Sequence, residues 1–345
     1  MPTLARFAER LTTPLLPADY LDVINPLLSA AALRGRITAV LPETADAATV
    51  VIRPGRGWPA HTPGQYLRLG VDVDGVRHWR AYSITSAADR CVTITVKAVP
   101  GGRVSEHLVR RAAIGTLVHL QAPAGDFTLD AAPGAAVLFV TAGSGITPVM
   151  GMLRGLAPSA VRDIVVVHSA PSAAEVIFGA ELRRLAADGR IRLVEVHTRT
   201  DGRLDAARLD VLVPDWRQRH TFACGPAELL DDLERRWAAE QLTGRLHVER
   251  FRTAFTALGE GGRATFSTTG ATVDADGATS LLETGESAGV LMPSGCRMGI
   301  CFGCVAPLRA GAVRDLRSGE ITTAGDGVLV QTCVSAAAGD CDIEL

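Results

Sequence analysis

From Arg36 to about Leu129, apolar and polar residues alternate in short runs such as Arg90-Cys91-Val92-Thr93-Ile94-Thr95-Val96-Lys97, broken by glycine and proline. Side chains of a strand face opposite sides in turn, so this period of two predicts half-buried antiparallel strands closing into a small barrel. The rhythm changes at Ala136. Val137 to Val140 and Ile164 to Val167 are unbroken apolar runs of the kind buried on both faces of a parallel sheet, and Ile191 to Val196 and His220 to Ala223 supply further strands. Between them, Val176 to Ala187 and Glu228 to Gln241 repeat at helical spacing, which predicts a doubly wound α/β domain. Phe251 to Gly262 reads as a linker, and Ala264 to Val273 as a hairpin opening a final domain.

At 345 residues the chain calls for two or three domains. The predicted division is an N-terminal extension over 1–33, a β-barrel over 34–131, an α/β domain over 132–250, a linker over 251–261 and a last domain over 262–345. In the extension, Asp19 can cap a short helix carrying Tyr20, Val23 and Ile24 on one face, packing on its own protein more readily than on a membrane. Composition removes several function classes. Formal charge is −2 and no apolar run approaches the roughly 18 residues of a membrane span. No secretory signal follows Met1, so the cytoplasm is the expected compartment, and no basic helix suggests nucleic-acid binding. Charge is uneven, with five Lys and Arg against ten Asp and Glu from Gly262 onward, which suggests an acidic last domain docking on a basic body or simply a solvated face.

The seven cysteines change the picture most. Cys296, Cys301 and Cys304 are spaced C-x4-C-x2-C with Cys333 far downstream, the plant-type spacing for a [2Fe–2S] cluster and hence for one-electron transfer. Gly295, Gly299 and Gly303 let a loop take left-handed conformations around such a cluster. A structural zinc site is the alternative, but its ligands come as short knuckles in two matched halves. Cys91, Cys224 and Cys341 remain, and a disulfide scaffold is not expected in so long a chain.

Three further segments carry candidate chemistry. Arg80, Tyr82 and Ser83 on one strand, expected to point one way, offer charge for a phosphate, a ring for a flavin face and a hydroxyl for its edge; an ordinary amphipathic strand gives the same pattern. Gly101 and Gly102, leading into Val104 and Ser105, present bare amides at an expected helix start, which suits a pyrophosphate. Val140-Thr141-Ala142-Gly143-Ser144-Gly145-Ile146-Thr147-Pro148 runs a strand into Gly-x-Gly and a helix, the form of a dinucleotide phosphate site. Cys224-Gly225-Pro226 puts a thiol at a strand's carboxyl end, where ligands of such sheets bind, although a small buried hydrophobe would sit there too.

Arg80-Ala81-Tyr82-Ser83, Gly143 to Pro148 and Cys224-Gly225-Pro226, in this order, resemble the ferredoxin–NADP⁺ reductase superfamily. With a plant-type ferredoxin domain at the end, residues 36–345 resemble its three-domain flavin, nicotinamide and [2Fe–2S] oxygenase reductases. The resemblance implies a flavin-binding β-barrel, a parallel-sheet nucleotide domain and a β-grasp ferredoxin domain. It implies that Arg80, Tyr82 and Ser83 hold the flavin, Gly101, Gly102, Val104 and Ser105 its phosphates, and Gly143, Gly145, Thr147 and Pro148, with Cys224, Gly225 and Pro226, the nicotinamide dinucleotide. Ser83, Cys224 and Glu249 are the implied catalytic residues, with Cys224 approaching the nicotinamide and Glu249, in the closing segment His247 to Phe251, near the flavin.

A hydride donor cannot reduce a one-electron cluster directly, so the expected order is NAD(P)H, flavin, cluster, external acceptor. Gly101 to Ser105 resembles the FAD-using branch, so FAD is expected, with FMN the alternative. Arg199 matches the family's 2′-phosphate site, with Thr198 where the family carries serine, and Pro171 replaces a frequent arginine, so NADPH is favoured over NADH. Thr13-Pro14-Leu15-Leu16-Pro17 and Asn25-Pro26-Leu27-Leu28 resemble actinobacterial reductases that serve membrane fatty-acid desaturases. The expected protein is a monomer, cytoplasmic or peripheral at the inner membrane face, that passes electrons to a desaturase. The alternatives are a ring-hydroxylating dioxygenase, another hydroxylase or a cytochrome P450 as acceptor, or a flavin and iron–sulfur redox sensor.

Overall fold

The computed structural model describes residues 25–28, 32–87, 91–131, 134, 136–157, 163–251, 259–295, 297, 299 and 302–345. The helix expected around Asp19 and the linker residues 252–258 lie outside them; of the extension, Pro26–Leu28 forms a single 3₁₀ turn. Two compact units result, one ending at Arg250 and the other taking in Phe251–Leu345 together with His78–Arg80.

The first unit opens with six antiparallel strands, β1 (Arg34–Thr44), β2 (Ala47–Pro54), β3 (Tyr66–Val73), β4 (Val76–Ser83), β5 (Val92–Lys97) and β6 (Leu117–Leu120), ordered β4-β3-β6-β1-β2-β5. The edges meet: Ile84, just past β4, bridges Ile94 of β5, and the Thr85 amide donates to the Thr93 carbonyl at 2.8 Å. Alternation is why the sheet can close, since Ile37, Val50, Ile52, Leu67, Leu69, Ile94 and Val96 all turn into one core. Helix α1 (Arg103–Arg110) caps it with Val104 and Leu108 buried.

Five parallel strands follow, β7 (Val137–Ala142), β8 (Ile164–Ala170), β9 (Arg192–His197), β10 (His220–Cys224) and β11 (Leu246–Glu249), ordered β11-β10-β7-β8-β9. Helices α2 (Ile146–Gly155), α3 (Gly179–Ala187) and α4 (Ala227–Ala239) belong to the same α/β region, and β8 is buried along its whole length, as its apolar run predicts. The predicted helix from Val176 starts three residues late because Phe178, at φ +59°, takes the left-handed conformation just before it. Strand order reverses between β7 and β10, so a crevice opens at the carboxyl ends of these two strands. Helix α2 ties this region to the barrel: a side chain at Gly151 would collide with the Ile84 carbonyl, and Arg154 donates to the Thr85 carbonyl at 2.8 Å while paired with Glu181.

The second unit has β12 (Gly262–Phe266), β13 (Ala271–Ala275), β14 (Val305–Asp315), β15 (Ile321–Thr323), β16 (Leu329–Gln331) and β17 (Ser335–Ile343), with helix α5 (Leu281–Ser287). The order is β13-β12-β17-β14-β15, with β12 and β17 parallel and β16 paired to β14. Ser280 caps α5 by accepting from the Glu283 amide, and Leu281 and Leu282 enter the core beside Phe266. Among the described residues, no helix is long and apolar enough to cross a membrane.

Candidate functional site

Parallel register brings Thr141, Cys224 and Glu249 side by side at the carboxyl ends of β7, β10 and β11. The turn after β7 lies against them. Gly143 has φ +55°, and a Cβ at Gly145 would collide with the Cys224 carbonyl, so only a glycine lets this turn approach β10. Gly225 likewise sits close to Ala142, and Pro226 precedes α4. Thr147 and Pro148 are buried in α2, and the Thr147 hydroxyl donates to the Ser144 carbonyl at 2.9 Å. What they contribute is the shape of the turn.

Burial makes this edge hold protons. The Cys224 thiol is fully buried, and burial, helped by Glu249, holds it well above its ordinary pKa. Glu249 is pushed up to about 8, first by burial and then by the like charge of Asp126, and its Oε2 is shielded from solvent without a partner. At neutral pH both groups are protonated. Composition and motif spacing gave no role to His168, which lies fully buried in β8 with Nδ1 2.8 Å from the Thr141 hydroxyl. Burial, then repulsion from His197, brings it down to about 4, so it is a neutral ring supporting Thr141. Its signal in the sequence was a lone imidazole ending the apolar run Ile164 to Val167.

On the barrel, Arg80 and Tyr82 are half-buried, while Ser83, next along β4, falls on the opposite face and is buried with no partner for its Oγ. The expectation that all three point one way is therefore corrected by the pleat itself. Gly101 (φ +72°) and the N-cap Gly102 precede α1 as expected. The Val104 side chain is core, and Ser105 Oγ accepts from the Val99 amide at 3.1 Å, so these two residues could serve a phosphate through first-turn amides. The Gly101 amide is already engaged by Glu106 at 3.2 Å.

Arg199 lies in a short helical turn, Thr198–Asp201, with its amide donating to the Pro171 carbonyl at 3.2 Å. Its guanidinium is exposed and paired with Glu175 at 2.7 Å.

In the second unit Cys304 and Cys333 are both buried, and a hydrogen bond from Cys333 is the main cause that brings the Cys304 thiol down to about 6. Thr332 ties the two segments, its hydroxyl donating to the Cys304 carbonyl at 2.9 Å. Cys296 and Cys301 lie outside the described residues. Gly299 has φ +73° as its residue type suggests, yet Arg297 (φ +61°) and Phe302 (φ +55°) are also left-handed, so glycine does not supply every such turn. Two buried sulfurs brought together from distant segments suit cluster ligation, and the unpartnered Ser83 Oγ and Glu249 Oε2 suit a polar ring edge.

Comparison with known proteins bears on the same regions. Family models match residues 60–129 (oxidoreductase FAD-binding domain), 139–235 (oxidoreductase NAD-binding domain) and 265–338 (2Fe-2S iron-sulfur cluster binding domain). An NADPH oxidoreductase of Mycobacterium tuberculosis (strain H37Rv) is 51% identical over 99% of this chain and 92% of its own length. The chain belongs to the three-domain oxygenase reductases of the ferredoxin–NADP⁺ reductase superfamily. The ferredoxin reductase component of a 3-ketosteroid-9-alpha-monooxygenase from Mycobacterium tuberculosis (strain CDC 1551) is 31% identical over 73% of this chain and 76% of its own. Phthalate dioxygenase reductase shares the fold, with a TM-score of 0.60 at 23% identity over 90% of this chain and 97% of that one. The matched FAD-binding, NAD-binding and 2Fe-2S domains make this chain an electron-transfer oxidoreductase that uses NAD(P)H, FAD and a [2Fe–2S] cluster.

Proposed function

We propose that this reductase prefers NADPH and delivers single electrons to an oxygen-dependent membrane fatty-acid desaturase, working in the cytoplasm. Bound FAD supplies conversion of a hydride into single electrons, and the cluster supplies one-electron storage. The residues around them have separable tasks. The Gly143 to Gly145 turn and the backbone at Gly225 admit a dinucleotide at the switch point, with neutral Cys224 as an uncharged wall against the nicotinamide. Glu249 keeps its carboxyl protonated up to about pH 8, and Ser83 offers its unpartnered hydroxyl to the flavin edge. Arg80 and Tyr82 bind the flavin phosphate and ring, and the first-turn amides of Val104 and Ser105 its pyrophosphate, with Gly101 and Gly102, whose amides are engaged by Glu106 and Val99, shaping the approach. Cys304 and Cys333, with Cys296 and Cys301, ligate the cluster.

The observation that carries the nucleotide choice is Arg199 beside Pro171, an exposed cation past the third strand. Its Glu175 partner must yield to a 2′-phosphate. Arg199→Ala should raise KM for NADPH at least tenfold, the loss of about 1.5–3 kcal/mol of charged hydrogen bonding, and leave that for NADH nearly unchanged. Equal changes for both would remove Arg199 from this role.

The desaturase reading rests on the proline-punctuated stretch of Thr13 to Leu28 and its likeness to desaturase reductases. NADPH, this protein and a desaturase in lipid should convert stearoyl to oleoyl chains. A second reading, a soluble monooxygenase as acceptor, is favoured by the relative named as part of a 3-ketosteroid monooxygenase. Failure with the desaturase together with efficient reduction of a Rieske-type oxygenase or P450 would select it.

A further inference from the structure

The carbonyl of Gly299, inside the cysteine loop, accepts two side-chain hydrogen bonds from outside that loop. Arg317 Nη1 donates at 3.1 Å and Gln331 Nε2 at 2.9 Å. The two donors are joined, Arg317 Nη2 donating to Gln331 Oε1 at 3.2 Å. Arg317 is itself fixed by Asp315, whose Oδ1 accepts from the Arg317 amide at 2.8 Å and from Nε at 3.1 Å. Gln331 ends β16 and Asp315 ends β14, so both anchors stand on strands. Gly299 makes the contact possible, because any Cβ there would collide with the guanidinium. The positive charge lies close enough to Cys333 and Cys304 to feel both sulfurs.

We propose that Arg317 and Gln331 are positioning residues for the cluster: together they clamp the loop through the Gly299 carbonyl, and the Arg317 charge stabilises the reduced, more negative cluster. This rests on the cluster assignment above. Hydrogen bonding and charge around the ligands are the protein's levers on cluster potential, and a two-point hold on one carbonyl costs little entropy because Asp315 has already ordered the arginine. Replacing Arg317 with a neutral residue removes the cation and leaves Asp315 unopposed, and both changes disfavour the added electron.

The test is an EPR-monitored redox titration of the full-length protein with iron and sulfide analysis, on wild type, Arg317→Gln, Arg317→Lys and Gln331→Leu. Arg317→Gln should shift the reduced-to-oxidised ratio at a given potential about tenfold toward oxidised, about 59 mV lower for a one-electron couple. Arg317→Lys should recover most of that shift. Gln331→Leu should leave the potential near wild type and lose the cluster at least threefold faster in chelator. If Arg317→Gln does not retain its cluster, Arg317→Lys decides: a near-wild-type potential with faster cluster loss supports the proposal, and wild-type retention overturns it. An intact Arg317→Gln cluster at wild-type potential overturns it as well. Wild type lacking iron and sulfide would instead remove the cluster assignment, a result told apart by that analysis alone.

Discussion

The two units treat ionisable groups in opposite ways. At the carboxyl ends of β7, β10 and β11, burial keeps Cys224 and Glu249 protonated, and His168 beside them is neutral. Around Cys304 and Cys333 the reverse holds: a hydrogen bond between the cysteines lowers a thiol pKa, and a fixed arginine lies near both. A site meeting a hydride donor gains from groups that hold protons without adding charge. A site for anionic sulfur gains from donors and cations. If the two sites work independently, either can be disabled while the other keeps its activity.

The largest expected effect tests that separation. Cys304→Ser should remove iron, sulfide and the cluster's visible absorption, while NADPH-driven ferricyanide reduction stays within about twofold of wild type, since Cys224 and Glu249, the residues proposed to face the nicotinamide and flavin, lie in the other unit. Loss of both activities together would show that the units are not separable.

Next in size is the proton on Glu249. The native carboxyl titrates at about 8 against an ordinary 4.5, so the native state binds the extra proton between those values. Stability of the flavin-free protein should therefore be highest below about pH 4.5 as far as this group is concerned and fall as pH rises toward 8, by roughly 5 kcal/mol at most. Glu249→Gln should flatten that fall, measured as Tm against pH. An unchanged profile would mean that Glu249 is not held protonated. The smallest effect belongs to Ser83→Ala, which should weaken FAD binding about tenfold in reconstitution of the flavin-free protein, the worth of one net hydrogen bond. It should not lower the stability of the flavin-free form, because the hydroxyl has no partner there.

Periodicity made the architecture legible in the sequence. Alternation marked the barrel strands, unbroken apolar runs marked β7 and β8, and cysteine spacing marked the ferredoxin unit. Local geometry was legible where it depends on the backbone, as in the tight turn at Gly143 and Gly145 against the Cys224 carbonyl. They were less legible where the pleat decides which way a side chain faces: Ser83 lies across from Arg80 and Tyr82, and Thr147 turns inward to cap its own turn. His168, Gln331 and Arg317 went unmarked because their roles arise from partners remote in the chain, such as Thr141 and Gly299.

The central claim is that one chain carries electrons from NADPH to its own cluster. Anaerobic addition of one equivalent of NADPH to wild type, followed by EPR, measures this directly. The account predicts a reduced [2Fe–2S] signal in wild type and none in Cys304→Ser, whose flavin absorbance still bleaches. A wild-type cluster that stays oxidised while the flavin bleaches would contradict it.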